Sequence, residues 1–337
     1  MKKMIAITLL LAGFGYTAAY CQTNDFYDDA ENVKLSVPSI TIGGEIANPG
    51  AVELNSLPLR SVVVKETLLQ EGKDHFVGAY RYDGYSLYDI LNLVVLKKKN
   101  QDKFPPIIDL YVEVSNDRNE KVVFSWGEIY YAIHRHEILV ATQVARIVPS
   151  KTKDLWPLPT ESRLIVASDL LTHRNISNPT IINIRSYAGD FVINKGMKPM
   201  YAESFTVSDK SGKLKEFNSL SSQLTSYTYP DVFYGRGTGI HGTTPFTGVL
   251  LKDVLKDLVK VDAEYLEKGL IVIAAKDGYH AAYSFSEVMN RNDQAEFLVV
   301  PTEKNEDGGA FKIFPSADFF SDRAIKSVES ILFVLDD

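Results

Sequence analysis

Cysteine is all but missing: Cys21 is the only one in 337 residues. An internal disulfide is therefore excluded, and no thiolate is available to hold a metal inside a core. Basic charge is also scarce, with 36 lysines and arginines against 43 acidic residues. Residues 1–21 carry two lysines and no acid, so 34 basic residues face the same 43 acids in the remainder. An acidic surface without a basic patch excludes nucleic acid as a partner. Long apolar runs are absent too. The apolar stretch from Met4 to Phe14 falls well short of the roughly 20 residues a membrane-crossing helix needs. No P-loop, G-x-S-x-G, H-E-x-x-H or paired-carboxylate pattern occurs in a supporting context, so no catalytic residue is assigned, and no repeat of solenoid length is found.

The N-terminus is a Sec-type signal peptide: Lys2 and Lys3, the apolar run, then Thr17, Ala18 and Ala19. Cleavage after Ala19 or Cys21 fits, with Gln22 as a mature start, and this places the protein outside the cytoplasm, in the periplasm, at the cell surface or secreted. Cys21 offers a lipidated N-terminus as the alternative, but Tyr20 stands where lipoprotein signals place a small residue. Membrane association follows only if Cys21 is lipidated.

What is present is a folded composition, 45% hydrophobic and 23% charged, with 18 tyrosines and 17 phenylalanines that favour strands. The length suits two domains. Self-similarity confirms that division: "SITI" at Ser39 returns as "SFTV" at Ser204, and "ELNSL" at Glu53 as "EFNSL" at Glu216. "YDGYSLYDIL" from Tyr82 lies over "FTGVLLKDVL" from Phe246, with Gly84 on Gly248. In both, apolar residues at i, i+3, i+4 and i+7 (Leu87, Ile90, Leu91, Val94; Leu251, Val254, Leu255, Leu258) predict a short amphipathic helix. Next come two capping boxes, Ser125 with Glu128 and Ser284 with Glu287. The last block sets Arg174 over Arg323. The first copy is longer, mostly through residues 145–161, whose three prolines predict a surface excursion.

These blocks resemble the molybdopterin-binding domain of sulfite oxidase and its periplasmic relatives, once per copy. "PFTGVLLKDVL" is similar to the family's P-W-x-G element, Asp277-Gly278-Tyr279 to its D-G-Y turn, and "RAIKSVESILFV" to its closing strand. The resemblance implies a strand-rich α+β fold with short helices, repeated in tandem as molybdopterin-binding-like domains over 35–188 and 200–337 after the signal peptide at 1–21. In the family one cysteine holds the molybdenum in the loop before the P-W-x-G element. Counting back equally reaches about Arg236 in the second copy and about Gly72 in the first, and neither has a cysteine nearby. The signal also lacks the arginine pair of relatives exported with their cofactor loaded. The expectation is thus an exported pseudoenzyme, a non-catalytic binding or scaffolding protein with no cofactor and no metal, partnered by a small anion or a cell-envelope protein. A sensor or accessory subunit is a variant of the same reading. The alternative is a molybdopterin-dependent oxidoreductase with atypical metal ligation.

The second copy carries the candidate pocket. In "YGRGTGIHGTTP" Gly237 and Gly239 would let backbone amides approach a ligand, while Arg236, His241, Thr243 and Thr244 can donate to an anionic or pterin-like group. Lys326 joins them, where the first copy has Ser177. A flexible loop using its glycines for turns is the bland alternative. His134 and His136 with Glu137 form a metal pattern only superficially, since a two-residue spacing does not share a helix face. His75, His173 and His280 are isolated and suit packing or surface roles.

Overall fold

The computed structural model describes residues 31–302 and 308–336. The signal-peptide and Cys21 expectations lie outside the described residues.

Four sheets of four or five strands make up the molecule, two in each half. In the first half one sheet runs Val33–Lys34, Ile138–Arg146, Lys73–Ser86, Arg60–Gln70, with Arg163–Val166 also on Ile138–Arg146. The other runs Gly50–Ala51, Thr41–Gly44, Ile181–Ser186, Leu110–Ser115, Lys121–Ser125. The second half repeats both orders. Gly212–Phe217, Phe205–Asp209, Val328–Leu335, Gly269–Ala275 and His280–Ser284 form one sheet; Ser226–Tyr229, Phe246–Leu250, Leu298–Pro301 and Phe311–Phe314 form the other. Even the one parallel pairing recurs, Ile181–Ser186 beside Thr41–Gly44 and Val328–Leu335 beside Phe205–Asp209. Central strands read as continuous apolar runs because both faces are covered: all seven residues of Gly269–Ala275 are buried. Gly84 and Gly248 are required at matching places. A Cβ on either would collide with the neighbouring strand's backbone, at Val140 and Val299 respectively.

The expected sulfite-oxidase-like α+β fold is corrected here. Strand accounts for 42% of the described residues and helix for 11%, in a four-sheet, propeller-like arrangement, and no α-helix among them exceeds the six residues of Ala263–Lys268. The amphipathic pattern at 87–94 and 251–258 is real, but the helices stop at Leu91 and Leu255. A helix of one turn gains little from its own hydrogen bonds. These two bury Leu87, Ile90 and Leu91, and Leu251, Val254 and Leu255, against strands and form no layer of their own. The excursion at 145–161 is partly a cover: Trp156 packs edge-on to Phe76 at 5.2 Å, and Pro157 O accepts from the Tyr80 hydroxyl at 2.7 Å.

The halves meet through two arginines that exchange partners. Both are 1% exposed. Arg174 forks onto Asp169 of its own half (2.7 and 2.8 Å), bonds Glu128 at 3.1 Å, and reaches across to Ser284 Oγ at 3.2 Å. Arg323 forks onto Asp318 (2.6 and 2.7 Å), bonds Glu287 at 3.0 and 3.1 Å, and reaches back to Ser125 Oγ at 3.0 Å. Ser125 with Glu128 and Ser284 with Glu287 are the two capping boxes, both formed as drawn from sequence. Backbone bonds follow the same exchange: Leu170 N donates to Asn290 O at 2.7 Å, and Phe319 N to Tyr131 O at 2.6 Å. Four carboxylates share two guanidiniums, and burial, opposed by Arg174 and reinforced by Glu287, pushes Glu128 up to about 7.

Truncating one guanidinium strands its partners in a buried site. Arg323→Ala is expected to lower the unfolding free energy by about 3–5 kcal/mol, with little recovery in Arg323→Lys because an ammonium cannot present the fork. Urea denaturation measures this, and a loss below about 1 kcal/mol would assign the interlock no more weight than a surface pair.

Candidate functional site

A cleft with two lobes lies beside the second half's Asp277-Gly278-Tyr279 turn, and Asp277, Tyr279 and Asp322 line both. Local chemistry builds this wall. Gly278 takes φ 81°, Asp277 accepts from the Tyr279 amide at 3.0 Å, and the Tyr279 hydroxyl donates to Asp322 O at 2.9 Å. Asp322 immediately precedes Arg323, so the interlock between halves anchors one side of the cleft.

The first lobe, about 350 Å³, adds Tyr131, Phe104, Ile108 and Arg236. Arg236 is ion-paired to Asp322 at 3.4 Å, and its guanidinium lies 5.4 Å from the Tyr131 ring centre. Tyr131 is 2% exposed and its hydroxyl has no hydrogen-bond partner among the described residues. Burial pushes that hydroxyl up to about 12, so it stays protonated and able to donate.

The second lobe, about 520 Å³, is lined by Lys312, Lys326, His241, Phe233, Met200 and Ala324, among others. Lys312 comes from the strand Phe311–Phe314, which points its neighbours Phe311 and Ile313 into the core. Its ammonium sits 4.1 Å from the Phe233 ring centre and 4.7 Å from that of Phe246. Among the described residues no carboxylate pairs with it. Burial, with Lys326 adding repulsion, pulls it down to about 8.

The residues expected from sequence divide accordingly. Arg236 faces the first lobe; His241 and Lys326 face the second. Gly237 and Gly239 instead turn a two-stranded hairpin between Phe233–Gly235 and Gly239–Gly242, with Gly239 at φ 80°. Thr243 lines a separate hollow with Phe319 and Tyr234, and Thr244 is exposed. The glycine-rich loop therefore makes a hairpin. Its imidazole does fold inward, since a Cβ on Gly235 would strike the His241 ring. His136 bonds Ser86 Oγ at 3.0 Å, while His134 and Glu137 line a hollow between the halves. Among the described residues no group of three or more His, Cys, Asp or Glu is placed to hold a metal.

Lys312, Asp322 and Tyr131 were missed from sequence. Lys312 looks like a solvent-facing strand residue in "FKIF", and only the alignment of the halves, which sets it against Arg163, could have singled it out. The donor set does not fit the molybdenum group that the family resemblance implies. Cations, aromatic rings and the carboxylates of Asp277 and Asp322 line both lobes, no cysteine is among the described residues, and the position counted for the metal ligand is an arginine tied to Asp322. Comparison of the chain with protein-family models finds no match, and comparison with curated proteins finds none either. No helix among the described residues is long and apolar enough to cross a membrane.

A lysine held below its ordinary value in the folded state costs stability wherever the unfolded chain binds the proton more tightly. That cost is complete below about pH 8 and disappears above the unfolded lysine value of about 10.4. Lys312→Met, which keeps the aliphatic stem's packing, is expected to stabilise the protein by about 1–3 kcal/mol at pH 7. The gain should fade as pH rises from 8 to above 10, as followed by thermal unfolding across pH. A variant less stable than the parent at pH 7 would show that Lys312 already has a partner.

Proposed function

We propose that the protein is an exported, non-catalytic binding protein whose second half holds a small anionic molecule in the lobe lined by Lys312, Lys326 and His241. The observation that carries this reading is the half-buried ammonium of Lys312, with which no carboxylate among the described residues pairs, facing an open lobe that a second lysine shares. A buried cation is stable when an opposite charge meets it, and a ligand anion supplies that charge. Export is supported by Lys2-Lys3 and the short apolar run that follows. The binding reading is also supported by the mismatch between the site's donors and a thiolate-held metal.

Anion binding raises the value of Lys312, so affinity should be highest below about pH 8 and fall as the lysine loses its proton. A thermal-shift screen of small anions at pH 7 is expected to raise the Tm of the wild type. The double variant Lys312→Met, Lys326→Ala should lose at least tenfold in affinity for each hit. Arg236→Ala, being paired to Asp322, should change it less. Anions that stabilise wild type and double variant equally would sink the proposal.

A further inference from the structure

The repeated strand order lets each residue of the second lobe be compared with its counterpart in the first half. Counting from Gly84 and Gly248, Tyr82 corresponds to Phe246; counting from Arg174 and Arg323, Arg163 corresponds to Lys312, Asn175 to Ala324 and Ser177 to Lys326. Val62 pairs with Tyr82 and Tyr229 with Phe246 across the strands. Four residues further along, Glu66 therefore corresponds to Phe233. The contacts agree with the counting. Glu66 accepts from Tyr82 at 2.8 Å and from Arg163 at 2.9 Å, and Phe233 touches the same two positions, Phe246 at 5.2 Å and Lys312 at 4.1 Å.

The two triangles differ in one respect that matters. In the first half the cation is satisfied from within: Glu66, 3% exposed, takes both oxygens to Arg163, and Asn175 O accepts a further bond at 3.1 Å. Trp156 and Pro157 of the longer excursion lie over Tyr80 beside it. In the second half glutamate has become phenylalanine, asparagine has become alanine and serine has become lysine. The cation is kept, its carboxylate is deleted, the space is enlarged and another positive charge is added. Two carboxylates line the same lobe: Asp322 pairs with Arg236 through one oxygen, and Asp277 accepts from the Tyr279 amide.

We infer that this lobe binds a small organic carboxylate, whose carboxyl group takes the place that Glu66 fills in the first half. Apolar surface from Phe233, Met200, Ala275 and Ala324 suits an acid with a hydrocarbon body better than inorganic phosphate, which has nothing to bury there. The inference rests on the anion-binding reading and narrows it.

The test uses the full chain, with benzoate and hexanoate as organic acids and inorganic phosphate as the inorganic arm, by calorimetry and thermal shift at pH 7. Both acids should bind the wild type, and Lys312→Met should weaken them at least tenfold. Phe233→Glu places the carboxylate inside the protein; it should raise the Tm and abolish binding of both acids, while Phe233→Leu still binds them. In the first half, Glu66→Ala should lower the Tm, and added formate should recover part of that loss in the variant and leave the wild type unchanged. Phosphate binding without benzoate or hexanoate binding would overturn the carboxylate assignment and leave the anion-binding proposal standing. Failure of all three ligands would remove both. Undiminished acid binding by a folded Phe233→Glu would show that the carboxyl group does not sit where Glu66 does.

Discussion

The crossed arginines hold this molecule in one piece. Arg174 and Arg323 are each tied to an aspartate five residues upstream and to a capping-box glutamate in the same half, and each then touches the capping-box serine of the other half. A capping box ordinarily satisfies only the free amides at its own helix start. Here the same serine and glutamate also receive a guanidinium, so helix starts, loop conformation and the contact between halves are one network. Removing any member leaves buried charge or a buried donor unmatched, the costliest fault a core can carry.

The cleft depends on that network. The loop that delivers Arg323 to the interface also carries Ser321, Asp322 and Ala324, which line the second lobe. Tyr131 ends the helix-capping segment of the first half, accepts the Phe319 amide through its carbonyl, and lines the first lobe. The site thus draws on both halves, although Arg236, Lys312 and Lys326 belong to the second. Rigid placement matters because a lone ammonium attracts an anion strongly only where water is held back.

The symmetry of the backbone makes the asymmetry of the side chains informative. Both halves keep a cation at the same strand position, Arg163 in one and Lys312 in the other, which argues for a shared scaffold. One half closes the position with Glu66 and packs its excursion nearby; the other surrounds it with aromatic rings and leaves an opening. Cation–aromatic contacts are worth about 0.5–2 kcal/mol, less than a buried pair requires. Hence Lys312 remains below the ordinary lysine range, with Lys326 adding to the effect.

Much of the architecture was legible in the chain. Local rules wrote the capping boxes, the short helices at Leu87 and Leu251, the obligatory glycines and the order of matching blocks, because hydroxyl-to-amide reach, apolar spacing and strand alternation act over a few residues. The fold class was misread because a helical pattern reports which face is apolar, not whether neighbouring strands leave room for more than one turn. The glycine-rich loop left two readings open for a related reason: glycine permits a ligand cradle and a turn equally, and only the pairing of Phe233–Gly235 with Gly239–Gly242 shows the hairpin that the glycines turn. Arg236, His241 and Lys326 could be nominated from residue type, counting from Gly248 and comparison of the copies, but Lys312 was not. Its importance comes from what is absent around it among the described residues, a paired carboxylate, and that is a property of distances between segments far apart in the chain, which only tertiary packing decides.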